Sequence, residues 1–239
     1  MVYIGVDLGG TNIKGALVDV QGTVLCEESR PTGAENGAEV VCDRIAEVIS
    51  SLREGLDDAA LGGIGLGCPG TVDDASGHVL YANNLGWEDF DLRAAIRQRT
   101  GISPRIGNDA NVAALAEARM GCAKGAESAV VVTLGTGVGG GVVLGGKMLT
   151  GYTGAASELG HIVIREGGER CTCGRRGCFE AYASATALIR ETKRAMAAAP
   201  DSLMHALAAE NGEADGRTAF AAAQRGDAAA RAVVERYTD

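Results

Sequence analysis

The chain has 239 residues, 46% of them hydrophobic and 22% charged, and a formal net charge of −9. That composition supports a sizeable buried core and exceeds the usual length of one domain, so one large domain or two unequal ones are expected. The acidic balance offers no broad basic surface for a phosphate backbone, no apolar run approaches the ~18 residues of a membrane span, and no basic segment followed by an apolar stretch opens the chain; a cytoplasmic protein with neither nucleic-acid nor membrane partners is expected.

Residues 2–7, 12–19 and 23–28 are β-rich runs broken by Gly9-Gly10 and Gln21-Gly22, and read as a three-strand meander. Val41, Ile45, Val48 and Leu52 then recur at helical spacing and predict an amphipathic helix over residues 37–54. A buried strand follows over residues 61–68, a helix over 91–100 with Asp91 as its N-cap, a strand over 105–107 and an alanine-rich helix over 109–120. Strands therefore alternate with helices, the pattern of an α/β fold. From Ser128 a second glycine-punctuated strand pair echoes the first: a shift of 126 residues places Leu8 on Leu134, Gly9 on Gly135 and Gly15 on Gly141. The repeat suggests two similar halves. Beyond about residue 185 helices dominate, and residues 227–239 read as a helix without a C-cap.

In DLGGTN, residues 7–12, the glycines let backbone N–H groups approach an anion, and Asp7 at the strand end is placed to hold a hydrated Mg²⁺. Glycines serving turn geometry alone are the plain alternative. The second turn, LGTGVGGG over residues 134–141, formally contains a dinucleotide-binding fingerprint, but that reading needs a helix next. Residues 138–144 carry glycines and valines that suit a strand, so a second phosphate-binding hairpin is preferred. Between the turns, Asp109 stands where a helix begins. It is either that helix's N-cap or the carboxylate that takes a proton from an attacking hydroxyl. Glu158, His161 and Glu180 add polar groups suited to sugar hydroxyls, although surface solvation is the default for glutamates.

His161, Cys171, Cys173 and Cys178 form H-x9-C-x-C-x4-C, with Gly174 and Gly177 letting the chain fold around a centre. Four such ligands satisfy a closed tetrahedral Zn²⁺ site, hence a structural one. Cys26, Cys42, Cys68 and Cys122 are scattered and are expected in the core.

Taken together, DLGGTNIKGALVD, LGCPGTVD, NNLGW, NDANVAALAE, LGTGVGGG, ASELGHI and CTCGRRGCFEAYAS resemble, in order, the ROK sugar kinases (repressors, open reading frames and kinases), the combination of ELGH with CTCGRRGC being the most specific. The resemblance implies an actin/hexokinase-like two-lobed α/β fold with ribonuclease H-like lobes and a zinc-binding loop, one lobe over residues 1–108 and the other over 109–239. It implies ATP and sugar meeting in a cleft, with the sugar's 6-hydroxyl as phosphate acceptor and glucose as first choice. Kinases for N-acetylmannosamine, allose or fructose, and a non-catalytic sugar-binding or regulatory protein, are the alternatives. Asp109 then matches the catalytic base, and Asn108, Glu158, His161 and Glu180 match sugar-binding positions, with Asn83 in a sugar-side loop. Gly9, Gly10, Thr11, Gly135, Thr136 and Gly137 match the phosphate loops. ATP, Mg²⁺ and Zn²⁺ are the implied cofactors and a homodimer the implied assembly. His161 is implied to place one ring nitrogen on zinc and the other toward the sugar. Chains of this kind are implied to run to about 300 residues, so a missing C-terminal segment is expected, with the nucleotide site affected.

Overall fold

A computed structural model describes all 239 residues. Strands β1 (Val2–Leu8), β2 (Asn12–Asp19) and β3 (Val24–Pro31) form the meander, and α1 (Ala38–Leu52) follows. The chain then runs through β4 (Leu61–Cys68), β5 (Thr71–Asp73), β6 (His78–Ala82), β7 (Trp87–Asp91), α2 (Leu92–Thr100), β8 (Arg105–Asn108) and α3 (Asp109–Arg119). The second hairpin is β9 (Ala129–Leu134) and β10 (Val138–Leu144), with the short β11 (Lys147–Met148) beyond it. The rest is helical: α4 (Glu180–Ala183), α5 (Ala185–Ala198), α6 (Met204–Glu210), α7 (Thr218–Gln224) and α8 (Ala228–Thr238).

The main sheet has the order β3-β2-β1-β4-β8. β1 pairs with β2 antiparallel and with β4 parallel, and β4 pairs with β8 parallel. Parallel neighbours need covered faces, and α1 supplies one cover by burying Val41, Ile45, Val48, Ile49 and Leu52. These join Ile4, Leu8, Ile13, Leu66, Leu92 and Ile96 in the largest core. Asp91 caps α2 by accepting from Ala94 N, as its sequence position suggests.

One expectation needs correction, and one region holds strands where none is expected: residues 71–91 form an antiparallel three-stranded sheet, β5-β6-β7. β5 and β7 are three and five residues long and carry Asp or Glu among their other residues, so neither shows a strand's period, and the apolar run over residues 79–82 of β6 is the one local signal. Of the four scattered cysteines, Cys42 and Cys68 are core residues, and burial pushes the Cys42 thiol up to about 12. Cys26 and Cys122 are exposed, on β3 and on the turn after α3.

The chain divides into two compact units: Met1–Val131 with Gly141–Ser157, and Val132–Gly140 with Glu158–Asp239. The first holds the main sheet and its core. In it, Gly141 is required by close approach, because a Cβ there would stand 2.2 Å from Ala114 Cβ on α3. The second has a helical core of Leu188, Met204, Leu207, Val233 and three alanines, Ala219, Ala222 and Ala230, each fully buried. A separate small cluster joins Cys171, Cys178 and Ala181, with Tyr182 packed against it. No helix is long and apolar enough to cross a membrane.

Candidate active site

Parallel strands deliver their carboxyl ends to one edge, where open α/β sheets bind their ligands. In the first unit that edge is made by β1, β4 and β8. Asp7 lies opposite Gly67, Gly67 opposite Gly107, and Cys68 opposite Asn108. Asp7 and the start of α3 are thereby brought to one end of the sheet. Asn108, not Asp109, caps α3: its Oδ1 accepts from Asn111 N at 3.0 Å. The capping alternative for Asp109 is thus overturned: both residue types cap well, but β8 runs through Asn108, which keeps extended backbone, and Asp109 is already the first residue of α3. Asn108 Nδ2 donates to Gly70 O and to Asp109 Oδ1, each at 3.0 Å. Asp109 Oδ1 also accepts from Ala110 N at 2.8 Å. Both of these bonds fall on Oδ1 and fix the carboxylate plane.

Burial pushes the Asp109 carboxyl above its usual range, the Ala110 N–H opposes this, and the charge of Asp7 raises it further. Asp7 is itself raised by burial, with Lys14 pulling the other way. Two carboxylates sharing one sheet edge in this way suit a hard divalent cation with oxygen ligands.

The turn over residues 9–11 is held from behind. Gly9 N donates to Asn12 O at 3.0 Å, while Thr32 donates through N to Thr11 O at 2.8 Å and through Oγ1 to Gly9 O at 2.6 Å. Thr32 is fully buried just after β3, and because its partners are more than twenty residues away no local pattern marks it. With those carbonyls tied down and Gly9 N spent on Asn12 O, the turn keeps the amides of Gly10 and Thr11 for a ligand. Gly10 is open, a Cβ there meeting nothing nearer than Asn84 Cβ at 3.8 Å. Asn83 follows β6, and its Oδ1 accepts from the Tyr81 hydroxyl at 3.1 Å.

In the second unit the glycine turn after β9 is tighter, closed by Gly135 N to Gly137 O at 3.0 Å, and it leads into strand β10 rather than a helix. That excludes the dinucleotide fingerprint. Thr136 O accepts from Thr186 Oγ1 at 2.7 Å, and Gly135 O from Ala185 N at 2.9 Å. Glu180 Oε2 accepts from Val138 N at 3.0 Å, while its Oε1 accepts from Thr172 Oγ1 at 3.1 Å and from Cys171 Sγ at 3.7 Å. Glu158 and His161 lie on one short turn, with His161 N donating to Glu158 O at 3.1 Å.

The ligand atoms of His161, Cys171, Cys173 and Cys178 lie within 4.8 Å of one another. Cys173 and Cys178 Sγ are 3.7 Å apart, and Cys171 Sγ is 3.6 Å from His161 Nδ1. A tetrahedral zinc with bonds of about 2.3 Å to sulfur has S···S edges of about 3.8 Å, so the separations fit the ion. The loop is folded by its own backbone, through Cys171 N to Arg175 O at 2.9 Å and Gly177 N to Glu169 O at 2.8 Å. Burial resists ionisation of Cys173, but hydrogen bonds from the Arg175 backbone and side chain and from Cys171 and Cys178 outweigh it and bring the thiol down to about 6.

An α/β chain with carboxylates at the carboxyl edge of its main sheet and glycine turns after two first strands has the actin/hexokinase-like fold of sugar kinases. Residues 3–239 match the ROK family. The chain is 41% identical over 237 residues to a glucokinase of Thermotoga maritima, covering 99% of this chain and 74% of that protein. It is 38% identical over 236 residues to a glucokinase of Halalkalibacterium halodurans, covering 98% and 72%. The crystal structure of a ROK family glucokinase from Streptomyces griseus in complex with glucose and AMPPNP superposes with a TM-score of 0.86 at 35% identity, covering 99% of this chain and 75% of that one. The chain belongs to the ROK family.

Proposed function

We infer that this protein is an ATP-dependent hexokinase that phosphorylates glucose at its 6-hydroxyl. The observation that carries the reading is Asp109: a partly buried carboxylate at a strand-to-helix junction, relieved of capping by Asn108 and held by it through Oδ1. The similarity to glucokinases supports glucose.

In the proposed reaction the 6-hydroxyl oxygen attacks the γ-phosphorus of ATP, a new O–P bond forms as the bond to the β–γ bridging oxygen breaks, and ADP leaves with that electron pair. The hydroxyl proton passes to Asp109, whose raised affinity for protons makes it a better acceptor than an exposed aspartate. Because phosphoryl transfer is loose, the proton is needed late, and positioning does most of the work. Asp7, Gly9, Gly10, Thr11, Gly135, Thr136 and Gly137 are the proposed nucleotide ligands, and Asp7 is the proposed holder of Mg²⁺. That ion, when bound, neutralises phosphate charge. Asn83, Asn108, Glu158, His161 and Glu180 are the proposed sugar ligands, Asn108 also setting the plane of Asp109. His161, Cys171, Cys173 and Cys178 are the proposed zinc ligands, the ion fixing a loop rather than taking part in chemistry. The reading includes a cytoplasmic homodimer and lobes divided at residues 108 and 109.

A coupled assay for ADP across glucose, mannose, fructose, allose and N-acetylmannosamine tests it. Glucose is expected to give the highest kcat/KM. A different preferred hexose would reassign the substrate, and no hexose-dependent ADP release would remove the kinase reading.

A further inference from the structure

The glycine turn after β9 is held on both flanks by one short stretch of chain, residues 180–186. Before the turn's apex, Gly135 O and Thr136 O accept from Ala185 N and Thr186 Oγ1 at 2.9 and 2.7 Å. After it, Val138 N donates to Glu180 Oε2 at 3.0 Å. Carbonyls are drawn toward the start of α5 and an amide toward a carboxylate. The two pulls act on opposite ends of the same turn, so beside its own Gly135 N to Gly137 O bond the turn is held from outside the hairpin. Thr186 plays no part in starting its helix. Ser184 caps α5, accepting from Ala187 N at 3.1 Å, and is itself buried. The threonine hydroxyl is therefore spent on the turn.

A peptide whose carbonyl is pinned must point its N–H the opposite way, because the two lie antiparallel across the planar bond. Pinning Gly135 O and Thr136 O therefore directs the N–H groups of Thr136 and Gly137 away from α5, the arrangement that backbone anion sites use. We propose that Thr186 is a positioning residue for nucleotide phosphates, acting through the carbonyl of Thr136 to hold the turn over residues 135–137 in its anion-binding conformation. The identity of the ligand as ATP rests on the function proposed above; the clamp itself rests on the hydrogen bonds.

Thr186→Val removes the donor and keeps the shape, and helix propensity barely changes. MgATP binding by calorimetry, MgATP and glucose KM by coupled assay, and thermal stability are measured on wild type, Thr186→Val and Thr186→Ser. Thr186→Val is expected to weaken MgATP binding about tenfold, the loss of one oriented hydrogen bond, and to raise KM for MgATP alike. KM for glucose should stay within about twofold, and Thr186→Ser should recover most of the affinity. MgATP affinity unchanged in a folded Thr186→Val overturns the proposal. So does a variant that fails to fold, or one whose loss Thr186→Ser does not repair, because each makes the contact merely structural. If wild type binds MgATP but phosphorylates no hexose, the proposed function falls while the calorimetric comparison still decides the clamp. A wild type that binds no MgATP sinks both.

Discussion

At the residue scale, Asp109 is a group whose folded-state proton affinity exceeds that of the unfolded chain, because burial and Asp7 outweigh the hydrogen bonds to its ionised form. The stability this contributes is full below the unfolded pKa and is lost as pH rises through the folded one. At neutral pH the partly buried charge is therefore a liability that Asp109→Asn removes, while an amide oxygen can still accept from Ala110 N. The variant is expected to lose roughly a hundred- to ten-thousand-fold in kcat and to melt no lower than wild type at pH 7, the stability difference shrinking as pH falls toward about 4. Thermal scans at several pH values with single-turnover rates check this. A variant that retains more than about a tenth of wild-type turnover leaves Asp109 without its proposed role. Wild-type kcat/KM should correspondingly fall on the acid side at a pH above the ordinary aspartate range.

At the scale of elements, the two glycine turns differ in what a side chain would meet. A Cβ at Gly137 would stand 2.4 Å from Glu180 Oε2, so Gly137→Val disturbs the proposed sugar ligand as well as any phosphate. Gly10 has open space, so Gly10→Val should fold normally and raise KM for ATP at least tenfold without moving KM for glucose, whereas Gly137→Val should raise both. Equal effects of the two on both substrates would refute the distinction. Much of this was legible beforehand. β2 and β4 fall on the expected residues 12–19 and 61–68, and β10 is the strand that its valines announced. The cysteine spacing drew out four residues that the fold gathers. What stayed hidden depends on partners distant in sequence. Thr32 and Thr186 hold their turns from 23 and 50 residues away, and no local pattern records that. That Asn108 rather than Asp109 is the cap follows from where β8 ends, one residue beyond the expected strand, which composition does not encode.

At the scale of the molecule, each unit has its own core, and the sequence supplies a probe for one of them. Trp87, the single tryptophan, is buried in the first unit's core, whereas α4–α8, most of the helix, lie in the second. If zinc joins His161 to Cys178, a strong chelator should lower the melting transition seen by far-ultraviolet circular dichroism and leave that of Trp87 fluorescence nearly in place. Cys173→Ser should do the same, and the untreated protein should carry about one zinc per chain by metal analysis. Coincident shifts in the two signals, or none in either, would speak against a structural ion.

The alanines in the helical core carry a further meaning for how this sequence is free to vary. Ala219, Ala222 and Ala230 have no exposed surface and share their cluster with Leu188, Met204, Leu207 and Val233, so each sits where neighbours already fill the space around a methyl group. A larger side chain at any of them overfills the contact, at a cost of typically 1–3 kcal/mol. The one smaller choice, glycine, gives up about 1 kcal/mol of helix propensity. Change is closed in both directions, whereas an Ile or Leu position in the main sheet's core tolerates exchange for a neighbour of similar volume. Temperature-sensitive variants of this protein should accordingly gather at the small residues of its tail, away from the carboxylates and glycine turns.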